Sequence, residues 1–139
     1  MGNNCSIWET PFTYAQDASV GLVMEPDGEM TALLIVAPGG LDAYPKYIVR
    51  FTGVFAATCG EEAGFALDLG QEHCPANANA YIWDASPHAK AYDETVFGYD
   101  RQLRHYVMFG GDNFVSIVGE PPTIERVDEP FELTVSYAI

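Results

Sequence analysis

His105–Glu120, HYVMFGGDNFVSIVGE, places two apolar runs on either side of Gly110-Gly111-Asp112-Asn113, and Pro121-Pro122 closes the stretch. Glycine, aspartate and asparagine take up positive φ at low steric cost, which is the chemistry of a tight hairpin turn. With Gly111-Asp112 as the loop, Phe109 pairs with Phe114, Met108 with Val115, Val107 with Ser116 and Tyr106 with Ile117. Side chains alternate along a strand, so Tyr106, Met108, Val115 and Ile117 share one face while Val107, Phe109, Phe114 and Val118 share the other. Both faces are apolar. The hairpin is therefore expected to be covered on both sides and to sit centrally in the fold.

Working outward, Ala18–Glu25 (ASVGLVME) and Met30–Ala37 (MTALLIVA) flank Pro26-Asp27-Gly28-Glu29 and read as a second hairpin. The continuous apolar run Ala32–Val36 is expected to be buried on both faces. Tyr47–Cys59 alternates well until Gly53, where the pattern slips and a bulge or a close backbone approach is expected. Phe65–Leu69 and Tyr81-Ile82-Trp83 are shorter strand candidates, and Phe131–Ala138 is expected to form a terminal strand after an extended Pro-Pro linker. In residues 1–17, Trp8, Phe12 and Tyr14 are the expected anchors onto the core. Tyr92–Arg104 alone has a helical spacing, with Tyr92, Val96, Tyr99 and Leu103 on one face, although Gly98 opposes it. No repeat or linker divides the chain, so residues 1–139 read as one domain. About seven closely spaced strands with at most one short helix predict a mainly β fold: an antiparallel sandwich or a partly open barrel, with α+β as the alternative.

Six basic residues stand against 20 acidic ones, a net charge of −14. Neutralising phosphates needs the opposite sign, so no nucleic acid partner is expected, and anionic membrane surfaces are disfavoured for the same reason. A basic protein partner, a cation or simple solubility fits this charge. The three cysteines, Cys5, Cys59 and Cys74, have no framework spacing and fit a reduced setting. No basic-then-apolar leader and no stretch of membrane-spanning length appear, so a soluble cytoplasmic domain is expected.

Candidate chemistry is sparse. Glu72, His73, Cys74, His88 and His105 are suitable ligand types, but no metal-binding spacing joins them, so neither a metal nor another cofactor is expected. Glu61, Glu62 and Asp84 could pair carboxylates across a sheet mouth, although this acidic composition produces neighbouring carboxylates by itself. No nucleophile elbow or local cysteine signature occurs. His105, opposite Val118 in the register above, is expected to be a half-exposed packing group at a sheet edge; lining a cleft and titrating is its functional alternative. Trp83 and Tyr106, among many aromatics, are candidates for an interface or a pocket wall.

These features point to a non-enzymatic interaction module that docks a basic partner, with a homodimer through a free sheet edge or an aromatic patch as a further expectation. The alternative is a small-molecule-binding or enzymatic β-domain with an aromatic-lined pocket, whose mouth would carry Glu61, Glu62, Asp84 or His105.

Overall fold

A computed structural model describes residues 4–15, 18–25, 31–40, 42–54, 56–61, 78–84, 104–111 and 113–130. The described residues form nine strands and no helix: β1 (Asn4–Ile7), β2 (Ser19–Glu25), β3 (Thr31–Ala37), β4 (Lys46–Phe51), β5 (Ala56–Glu61), β6 (Ala80–Asp84), β7 (Arg104–Phe109), β8 (Asn113–Gly119) and β9 (Thr123–Val127). They make two antiparallel sheets, a larger one in the order β1-β6-β7-β8-β5 and a smaller one in the order β2-β3-β4-β9. The architecture is a mainly β sandwich, and neither sheet closes into a barrel. None of the described residues forms a helix long and apolar enough to cross a membrane.

The β7–β8 hairpin is the centre of the larger sheet, and its register is the one the turn chemistry predicts, from Phe109 opposite Phe114 to Arg104 opposite Gly119. Gly110 closes the turn by donating its N–H to the Asn113 carbonyl at 2.8 Å. A Cβ at Gly110 would run into the Asn113 side-chain oxygen, and the Ala18 carbonyl lies only 3.3 Å from its position. The same turn reaches the other sheet. Gly111 N–H donates to the Ala18 carbonyl at 3.1 Å, and Asn113 Nδ2 donates to the Val20 carbonyl at 3.0 Å. The tip of one hairpin thus satisfies edge carbonyls at the start of β2, groups that would otherwise be left for a foreign strand.

The second hairpin also forms as read, with β2 and β3 paired from Ser19 opposite Ala37 to Glu25 opposite Thr31. β3 lies between β2 and β4, and Ala32, Leu33, Leu34, Val36 and Ala37 are buried, so this central strand is covered on both faces. The Tyr47–Cys59 stretch is not one strand. It divides at Gly53, φ +58°, into β4 of the smaller sheet and β5 of the larger, so the slip in alternation marks a crossing between layers. Two strands have no counterpart in the sequence reading. β1 pairs with β6, and β9, lying just past Pro121-Pro122, pairs with β4. Arg104 opens β7 instead of ending a helix; residues 92–103, 65–69 and 131–138 lie outside the described residues.

The core fills the space between the sheets with Val20, Leu34, Val36, Val49 and Phe51 from one side and Tyr106, Met108, Val115 and Ile117 from the other. Removing side chains of this size from water contributes roughly 1.5–3 kcal/mol each. At one end the core is aromatic. Trp8 meets Tyr106 at 5.0 Å between ring centroids, Phe12 at 6.1 Å and Phe51 at 6.3 Å, while Phe51 meets Tyr106 at 5.2 Å. Trp8 and Phe12 are the anchors expected of them; Tyr14 is not, being 57% exposed with its hydroxyl donated to Glu9 Oε1 at 2.7 Å.

Candidate functional site

On the face of the larger sheet away from this core, β6, β7 and β8 bring Trp83, His105 and Ser116 together. Ile82 pairs with Tyr106, and one further step along the same register sets Trp83 opposite His105. The two rings stack at 5.8 Å with 9° between their planes. His105 faces Val118 directly, so Ser116 is its diagonal neighbour two residues back along β8, within reach of a long side chain. The Ser116 hydroxyl and His105 Nε2 form a hydrogen bond. His105 is 0% exposed and Ser116 4%, so the ring is sealed within the sheet face.

Burial decides what this group can do. A serine beside a histidine has the residue types of a nucleophile and its base, but a nucleophile must meet its substrate. Here both groups are shut off from solvent, and the arrangement is a satisfied polar insert in an apolar wall. His105 is therefore not the half-exposed sheet-edge group expected of a histidine at the mouth of the central hairpin. It lies in the central strand of the larger sheet, covered on both sides.

The other candidates do not converge on it. Tyr106 alternates to the opposite face, where its ring belongs to the aromatic core. Glu61 ends β5 opposite Asn113, beside the hairpin turn, whereas Asp84 ends β6 opposite Asn4, at the other end of the sheet. β7 and β8 separate the two strands, so Glu61 and Asp84 do not share a mouth. Glu62 lies outside the described residues, as do Glu72, His73, Cys74 and His88. Among the described residues no three His, Cys, Asp or Glu side chains gather into a metal-binding group.

A concave feature formed by described residues lies elsewhere, at β2, β3 and the start of β4 in the smaller sheet. Ser19, Val20, Gly21, Ile35, Ala37 and Lys46 line a hollow of about 130 Å³. Its lining holds no aromatic ring, and its size falls below the roughly 300–1,000 Å³ of ordinary ligand sites.

The cysteines differ in state. Cys5, on β1 opposite Trp83, is disulfide-bonded, contrary to the reduced state expected of it, while Cys59 on β5 is a free and exposed thiol. The hydroxyls of Tyr81 and Tyr14 are shifted. Burial holds Tyr81 above its ordinary value of 10.0, and its O–H donates to the Ala78 carbonyl at 2.8 Å. Tyr14 is raised by its hydrogen bond to the Glu9 carboxylate.

Among the described strands, β9 is strongly exposed. β9 forms an outer edge of the smaller sheet, with Thr123, Ile124, Glu125 and Arg126 all exposed, followed by exposed Asp128 and Glu129. Arg126 Nε donates to Asp128 Oδ1 at 2.8 Å, which holds the arginine at or above its ordinary basicity. Lys46, next to β9 in the sheet, rests over the Tyr44 ring at 4.7 Å. Arg50 and Arg104 are engaged as well, so each described cation already has a partner. No protein-family model, no curated protein and no solved structure matches this chain.

Proposed function

We propose that this domain is a non-enzymatic docking module that presents an acidic sheet edge to a basic protein partner. The observation that supports the reading is β9, an edge strand with exposed side chains, Ile124 38% exposed and Glu125 on it, followed directly by exposed Asp128 and Glu129. A free edge offers main-chain hydrogen bonds to an added strand, and the carboxylates select for lysine and arginine on what is added. The opposite edge of the same sheet differs, because the β7–β8 turn already occupies carbonyls of Ala18 and Val20. A net charge of −14 adds long-range attraction, which speeds encounter with a basic surface and fades with salt.

Affinity capture from the lysate of the cells that make the protein, eluted with a salt gradient, tests the reading. A basic protein leaving at low to moderate salt is expected for the wild type and should be absent for Glu125→Lys combined with Asp128→Lys and Glu129→Lys. Capture that is insensitive both to salt and to this triple reversal would refute the proposal.

A further inference from the structure

Cys5 and Cys59 stand on opposite edges of the larger sheet and in opposite chemical states, one in a disulfide and the other a free thiol. β1, which carries Cys5, has only four residues and, among the described residues, pairs on one side alone, with β6. So short an edge strand has few ladder bonds to set against the entropy of ordering it. Ser6 Oγ reaches the Ile82 carbonyl only at 3.4 Å, which adds little. Yet the strand covers something that matters. Cys5 is in register with Trp83, whose indole is 2% exposed and stacked on His105. Fraying of β1 would open the flank of that stack to water.

We infer that the disulfide at Cys5 is a covalent clasp on β1, and that the chain is built for an oxidising compartment in place of the reducing interior its cysteine count suggests. A disulfide restricts the unfolded chain and so favours the closed edge without any further contact. Closure takes two electrons and two protons from a pair of cysteine thiols and passes them to a disulfide donor, which leaves as a dithiol. Reducing cytosol keeps ordinary pairs open, whereas exported proteins keep theirs closed. Cys59, exposed at the far edge, remains outside this exchange and serves as an internal count of reactive thiols.

The test is thiol trapping in the cells that make the protein, by acid quenching followed by maleimide labelling of the denatured full chain and intact-mass measurement. One label before reduction, mapped to Cys59, and three after dithiothreitol are expected from the three cysteines. Three labels before reduction would overturn the inference. On the purified oxidised protein, dithiothreitol should lower Tm by about 10 °C, with β1 amides the first to exchange faster. Cys5→Ser should reproduce that state, and Cys59→Ser should leave Tm unchanged. The dithiothreitol measurement needs no variant to fold, and a Tm indifferent to it would refute the clasp.

Discussion

Replacing Ser116 by alanine takes away the oxygen that meets His105 Nε2 while leaving the ring sealed in the sheet face. Water cannot replace a partner lost inside an apolar wall, so the substitution is expected to cost about 1–3 kcal/mol. A lower urea midpoint at unchanged slope would register it. Ser116→Thr, which keeps the hydroxyl, should lose less. Tyr81 carries the pH dependence at this scale. Its hydroxyl is held above 10.0 by burial, so the folded state retains a proton that the unfolded chain releases first. The stability this contributes is complete below pH 10, then declines as pH rises through the higher folded value. Tyr81→Phe should flatten that alkaline decline relative to wild type, read as the urea midpoint against pH. A decline of equal steepness in the variant would assign it to other groups. The exposed Tyr14–Glu9 pair is screened by solvent and should contribute little.

Between elements, Gly53 is where β4 hands the chain to β5 and hence from one sheet to the other. Its φ of +58° is the left-handed region, and a Cβ there would come within 2.7 Å of Glu120 Oε2. The carboxylate end is flexible and can swing away, so the backbone sets the cost. Gly53→Ala should destabilise by roughly 1–2 kcal/mol, and adding Glu120→Ala should not restore the loss. Full rescue by the double variant would mean that the side-chain clash was the cause. This position also shows where the sequence stops being legible. Alternation revealed the break at Gly53, but a bulge and a change of sheet look alike when only one strand is in view. The central hairpin was readable to the residue because Gly-Gly-Asp-Asn fixes a loop length, and loop length fixes register. β1 and β9 were not, since each is short and takes its identity from a partner remote in the chain, β6 and β4 respectively. The same reason hid the Trp83–His105–Ser116 group. Ser116 was available from the hairpin register as a diagonal neighbour of His105, but Trp83 enters through the β6–β7 pairing, for which no local signal exists.

Across the whole molecule, the net charge of −14 acts in two directions, and a single variable separates them. Folding gathers uncompensated carboxylates into a smaller volume, so self-repulsion opposes the compact state. Docking a basic partner brings opposite charges together, so the same field favours association. Screening weakens both effects, with a Debye length of roughly 30 Å at 0.01 M salt shrinking to about 10 Å at 0.1 M. Raising sodium chloride from 10 to 200 mM should therefore raise Tm by a few degrees (on the order of 1 kcal/mol or less) while weakening partner capture. An excess of surface ion pairs would reverse the first slope, but six cations among 20 acids cannot supply it, and the described ones are already engaged. Differential scanning calorimetry in sodium chloride reads one slope, and capture of the basic partner reads the other. Opposite signs would tie both to the unpaired carboxylates. If Tm rose with salt while capture stayed constant, the charge would be a solubility device alone, and docking would have to rest on the exposed β9 backbone and Ile124 without help from the field.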